Sequence, residues 1–231
     1  MKEWRSNRRL VGLLTLLLPL ASVTAMVRGY AFVRRLVVLG SPGGDFRIRA
    51  HDADVFARSA DAVMGLTVLV VAPVFLAWLW RTAKNQQALG RRPERLGSGW
   101  AIGGWFVPLA NLAIPVLVVQ DLWRGSSTTI ERDDPRWRIA DRSWLVGWWW
   151  GLFLVALLGI SGEPADERGV RPAFLEQRNV LALLGSLSAA VAAVLALLVV
   201  RGLSRRQEEC RRAQHHAALG ATSAEPGAPV S

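Results

Sequence analysis

Long apolar stretches separated by short charged ones set the pattern of this chain. Five stretches (residues 10–27, 60–80, 100–121, 143–160 and 179–200) run roughly 18 to 22 residues each, enough for a helix to cross about 30 Å of hydrocarbon. Every Lys and Arg falls outside them, and Asp61 and Asp121 sit at their ends. A soluble helix needs charge on its outer face. The partition therefore predicts an all-α fold, a polytopic integral membrane helical bundle placed in the cell membrane as a multi-pass protein.

The third stretch, GWAIGGWFVPLANLAIPVLVVQDLWRGS from Gly99 to Ser126, departs from the others. Pro108 and Pro115 interrupt helical hydrogen bonding, Gly103-Gly104 loosens the backbone before them, and Asn111 lies between the prolines. Loop charge points the same way. If all five stretches cross, the 28 Lys and Arg residues divide 12 to 16 between the two sides; if 100–121 turns back, they divide 19 to 9. The second division has the excess expected of cytoplasmic loops. The expectation is four transmembrane helices (about 10–27, 60–80, 143–160 and 179–200) plus a Pro/Gly-broken re-entrant or interfacial segment at 100–121. Residues 1–9 then form a cytoplasmic N-terminus and 201–231 a cytoplasmic basic helix extension with a disordered tail. Five spans is the alternative.

The first stretch, behind Lys2, Arg5, Arg8 and Arg9, also has the make-up of a signal peptide, but its length favours an uncleaved span. Residues 28–59 read as a loop with a turn signal at SPGGD, Ser41 to Asp45. Trp78 and Trp80 followed by Arg81 and Lys84, and Trp144 with Trp148-Trp149-Trp150, read as interfacial aromatic belts. Gly185, Ser186 and Ser188 predict close helix packing in the last stretch.

The net charge of +10 is accounted for by these flanks and needs no nucleic acid. Candidate chemistry is sparse. His51 stands alone in its loop, Asp133-Asp134-Pro135 reads as a solvated turn, and Cys210 with His215-His216 offers too few ligands for a metal site. No nucleophile–base pair, HExxH, GxSxG or phosphate loop is present. No catalytic, cofactor or metal residue is assigned, and the chain is not read as an enzyme.

Two blocks carry a resemblance. One is Phe75-Leu76-Ala77-Trp78-Leu79-Trp80-Arg81 with Asn85; the other is Trp105-Phe106-Val107-Pro108-Leu109-Ala110-Asn111, Pro115, then Leu122-Trp123-Arg124-Gly125-Ser126. Together they are similar to an uncharacterised bacterial membrane family found in actinobacteria, domain of unknown function 4328, over roughly residues 60–162. The resemblance implies a multi-span membrane protein and no activity. Its motif residues, Trp78, Arg81, Asn85, Trp105, Pro108, Asn111, Pro115, Trp123, Arg124 and Ser126, are the candidates for structural or ligand contact.

Three functions compete. A scaffold or regulatory partner acting through a Trp/Arg-rich cytoplasmic face asks least of the sequence. A small neutral-solute transporter or channel subunit would use the broken stretch, without the ionisable group within a span that ion-coupled transport needs. An anionic-lipid-binding protein would gather Arg81, Lys84, Arg91, Arg92 and Arg124 around a headgroup phosphate. Expected partners are membrane lipids, a protein at the cytoplasmic face, and a second copy of the chain.

Overall fold

The computed structural model describes residues 4–41, 43–90, 96–128, 134–159 and 172–223. Among these residues every regular element is helical. The order is α1 (Arg8–Leu39), α2 (Phe46–Ala88), α3 (Trp100–Gly103), α4 (Ile114–Gly125), α5 (Trp144–Leu158) and α6 (Pro172–Ser223), with 3-10 turns at Ala110–Leu112 and Pro135–Ile139. Among the described residues, three helices are long and apolar enough to cross a membrane: α1, α2 and, within α6, Glu176–Ala217. The apolar α5 has 15 residues and extends about 23 Å at the α-helical rise.

Residues 28–59, expected as a loop, are mostly helix. Only the region around SPGGD connects, with α1 running to Leu39 and α2 starting at Phe46. Inward-facing ion pairs explain why. Arg28 binds Asp61 at 2.5 Å and Arg35 binds Asp54 at 2.8 Å. The two pairs lie seven residues apart on both helices, two turns, so both fall on one antiparallel seam. Tyr30 and Phe56 meet edge-on at 6.0 Å beside it. Arg28 therefore lies within a helix rather than at the end of one, and an ionisable side chain does face the interior of this bundle.

The chain divides into two compact units. The first holds Gly12–Phe75 and Trp144–Val199. Its interior is rich in small residues: Ala21, Ala25, Ala31, Ala53, Ala57, Ala60, Ala182, Ala190, Ala192 and Ala196 are all buried, beside larger ones such as Leu14, Leu18, Val146 and Val199. Large aliphatic side chains point outward, among them Leu16 at 73% and Leu69 at 71% exposure. Small buried residues with large aliphatic side chains outside suit helices that approach closely and present Leu and Val to an apolar surrounding. Trp149 and Trp150 depart from the belt reading, because both are buried, Trp149 against Phe75 and Trp150 stacked on Phe153. Trp144 and Trp148 are exposed, as a belt requires.

The second unit holds Met1–Val11, Leu76–Ser143 and Val200–Ser231. It contains the third stretch, which is no single helix. It passes through the four-residue α3, a run of turns and the 3-10 turn before α4 begins with Pro115 in its first turn. Proline is favoured there because its missing N–H has no helical partner to lose.

Candidate functional site

The second unit is held together by side-chain amides and hydroxyls rather than by an apolar core alone. On α2, Trp78, Thr82, Asn85, Gln86 and Leu89 lie on one face at three- and four-residue spacing, and all are buried. On α6, Leu203, Gln207 and Cys210 do the same. The two stripes interlock. Trp78 Nε1 donates to Ser204 Oγ at 2.9 Å, Gln207 Nε2 to the Thr82 carbonyl at 3.0 Å, and Gln214 Nε2 to the Leu89 carbonyl at 3.1 Å.

Asn85 fixes the N-terminal segment. Its Oδ1 accepts from the Arg5 N–H at 3.1 Å while its Nδ2 donates to the Arg5 carbonyl at 2.9 Å. A side-chain amide thus pairs with one residue's backbone as a neighbouring strand would. Asn7 Nδ2 donates to Thr82 Oγ1 at 2.9 Å one turn away, and the Arg81 guanidinium reaches the Ser6 carbonyl.

Gln86 Nε2 donates to the Asp121 carbonyl on α4, and a Cβ at Gly125 would strike the Gln86 amide, so a larger residue there would have to turn that amide away from its present position. Arg124 is buried, with Nη1 donating to the Arg138 carbonyl at 3.1 Å. Ser126 Oγ closes on the Leu122 carbonyl at 2.6 Å. The Trp123 ring packs under Gly202 and carries the Arg206 guanidinium 4.7 Å from its centroid. Gln120 pairs twice with Ser143 backbone, as Asn85 does with Arg5.

The motif residues fall into two sets. Trp78, Arg81, Asn85, Trp123, Arg124 and Ser126 belong to this assembly, and buried Pro115 starts α4 beneath it. Trp105 and Asn111 are half-buried on the broken turn, and Pro108 is exposed at its tip. The backbone N–H of Asn111 donates to the Val107 carbonyl at 2.9 Å.

The residues drawn for a headgroup phosphate are placed as follows. Arg124 is buried on a carbonyl, Lys84 lies over the Trp80 ring at 5.7 Å, and Arg91 and Arg92 lie outside the described residues. Cys210 is buried against the Ser127 carbonyl while His215 and His216 are exposed, so these three residues do not converge. Asp134 caps the second 3-10 turn through the Arg136 N–H at 2.8 Å, a turn role; Asp133 lies outside the described residues. His51 sits exposed on α2. The sequence reading missed Asn7, Thr82, Gln86, Gln207 and Trp137, of which Thr82, Gln86 and Gln207 could have been found from their helical spacing with Trp78 or Leu203.

A cavity of about 30 Å³ is lined by Gln86, Ser98, Ala101, Val118, Asp121 and Trp137, among others. Gln86 Oε1 and Trp137 Nε1 are buried with no hydrogen-bond partner among the described residues, one an acceptor and the other a donor. The volume suits one or two waters, each needing about 10–15 Å³, and is too small for a substrate or cofactor. X-ray radiolytic labelling tests this, because a bound water generates hydroxyl radicals beside a buried ring. Trp137 is expected to oxidise well above Trp78, which is equally buried and satisfied by Ser204. Equal protection of the two rings would exclude a water in the cavity.

The family model described as Domain of unknown function (DUF4328) matches residues 47–205, more than half the chain. The chain belongs to that family. The DUF4328 match begins at the start of α2 and ends within α6, so it takes in the α2 stripe, the whole third stretch and, of the α6 residues above, Leu203 and Ser204, while Gln207, Cys210 and Gln214 lie beyond it. No curated protein and no solved structure matches the chain.

Proposed function

We propose that this DUF4328 protein is a multi-pass cell-membrane protein that serves as a scaffold or regulatory partner through its cytoplasmic face. In this reading α1, α2, α5 and α6 cross the bilayer, and the segment 100–121 enters and leaves on the inner side. The observation that carries it is the membership of the second unit. The N-terminal residues, both flanks of the broken segment and the continuation of α6 pack into one polar assembly. Such an assembly is a built platform rather than a set of loose loops, and its arginines meet the positive-inside expectation. A partner protein would be read by its exposed side chains, and Arg5, Arg8, Arg9, Arg201 and Arg205 are all exposed.

A transport reading draws on the Arg28–Asp61 pair, the ionisable group such a path needs. It is less well supported, because the Arg28 donors are spent on fixed helix contacts.

Threading is tested with single thiols in a Cys210→Ser background. Gly97→Cys and Thr128→Cys stand at exposed positions on either side of the segment. Both are expected to resist an impermeant maleimide in intact cells and to react after permeabilisation. Reaction of one alone would establish a fifth crossing and remove the shared inner face. Photo-crosslinkers at Arg201 and Arg205 then test the partner. A discrete adduct supports the scaffold reading, and its absence at both positions in cells expressing the protein at native level counts against it.

A further inference from the structure

The turn between α3 and α4 carries an unusual combination of side chains and backbone. Phe106 is 71% exposed and Leu109 81%, with Val107 and Leu112 also exposed. No charged residue occurs between Gly99 and Gln120. Leu109 has φ 64° and ψ −42°, and the Ala110 N–H donates to the Pro108 carbonyl at 2.8 Å. That is a γ-turn of the rare, strained hand, on a leucine with a Cβ that disfavours it. Strain of this kind persists only where something offsets it.

The backbone around it is turned in on itself. Of the eight N–H groups between residues 105 and 113, six donate to carbonyls within the segment: those of Trp105, Phe106, Ala110, Asn111, Leu112 and Ala113. A loop in water has no need of this closure. Irregular backbone at membrane depth does, because hydrocarbon offers no hydrogen bonds.

We propose that the Pro108–Leu109 turn is a wedge that inserts Phe106, Val107, Leu109 and Leu112 into the acyl-chain region of the bilayer. The same unit contains the end of the apolar run of α2, Leu76 to Trp80, with Trp80 exposed and Lys84 over its ring. This is the aromatic–basic pairing of a membrane interface, so a bilayer meets this unit. Trp100, 41% exposed where the wedge begins, suits the headgroup level. The γ-turn directs the largest apolar side chains outward while keeping the chain closed, and lipid burial of Leu109 and Phe106 offsets its strain.

The inference rests on the inner-face reading above, and the two fail separately. In the Cys210→Ser background, nitroxide labels are placed one at a time at Phe106, Leu109, Leu112 and Thr128 in full-length protein. The protein is reconstituted in phosphatidylcholine–phosphatidylglycerol vesicles. Collision with oxygen and with a water-soluble nickel chelate is measured by power saturation. The expected oxygen-to-nickel ratio is severalfold higher at 106, 109 and 112 than at 128, and highest at 109. A ratio at 109 equal to that at 128 would place the turn in water and overturn the wedge, leaving the shared inner face intact. Low collision with both reagents would show the turn covered by protein, and would overturn it equally. High oxygen access with Gly97 and Thr128 on opposite sides would make the segment a kinked span, which also ends the proposal. All four positions are exposed, so loss of fold is not the expected confounder; a Leu109→Gly variant, which relieves the φ constraint, checks that the turn survives labelling.

Discussion

Arg28→Ala is expected to destabilise the bundle by about 3–5 kcal/mol, the usual cost of removing one partner of a largely buried ion pair. The side chain is 12% exposed and reaches two other helices and the end of a third at once. Nε donates to Asp61 on α2, Nη1 to Ser186 Oγ at 2.8 Å and the Ala182 carbonyl at 3.3 Å on α6, and Nη2 to the Gly159 carbonyl just past α5. Its cation also lies 4.8 Å from the Phe32 ring centroid. Only a guanidinium has donors spread widely enough for all of these. Arg28→Lys should therefore still show more than half of that cost, although charge is kept. Asp61→Asn keeps an acceptor for Nε and leaves the other Arg28 contacts in place, so it should cost less than Arg28→Ala. The double variant Arg28→Met/Asp61→Leu should recover most of the stability, because it leaves no buried charge. Unfolding in mixed micelles followed by tryptophan fluorescence reads all four. A cost for Arg28→Ala within about 1 kcal/mol of zero, the range of an exposed pair, would show that the arginine is not the node its geometry indicates.

That node was legible only in part. The apolar run stops at Arg28, and hydropathy alone ends the helix there. The intact helix followed instead from two pairs, 28 with 61 and 35 with 54, whose equal offsets were present in the sequence but carry meaning only once two helices are known to be antiparallel. The broken third stretch was legible, because Pro108, Pro115 and Gly103-Gly104 act through local backbone rules. Gly104 adds a reason unseen in sequence, since a Cβ there would collide with Ile114.

The assembly around Asn85 was half legible. Its motif residues stood out as words, but Thr82, Gln86 and Gln207, all buried, were not among them. A polar stripe on a helix looks the same whether it faces water or a second polar stripe, and tertiary packing decides which. Trp149 and Trp150 show the converse. Indole suits both an interface and a core, and here Phe75 and Phe153 supplied the core.

Gly185→Val is expected to cost as much as the loss of Arg28, or more, and for a steric reason. Gly159 and Gly185 meet backbone to backbone. A Cβ on Gly159 would lie 2.6 Å from the Gly185 Cα, and one on Gly185 would lie 2.5 Å from the Gly159 Cα. Neither contact ends on a flexible side chain, so even alanine must part the helices. Overpacking of a tight interior commonly costs about 1–3 kcal/mol, and valine adds two methyl groups to a gap that admits none. Close approach is what binds helices in an apolar surrounding, where dispersion and short polar contacts replace the hydrophobic drive. Parting them also moves the Gly159 carbonyl, which accepts from Arg28 at 3.3 Å. Gly185→Ala and Arg28→Ala should for that reason couple, with the double variant less destabilised than the sum by roughly 0.5–3 kcal/mol. Gly147→Ala and Gly151→Ala, whose Cβ positions meet nothing within 4 Å, are the controls and should be neutral or slightly stabilising. Additivity within about 0.5 kcal/mol would mean that the glycine contact and the arginine node are independent, and that Gly159 does not join them.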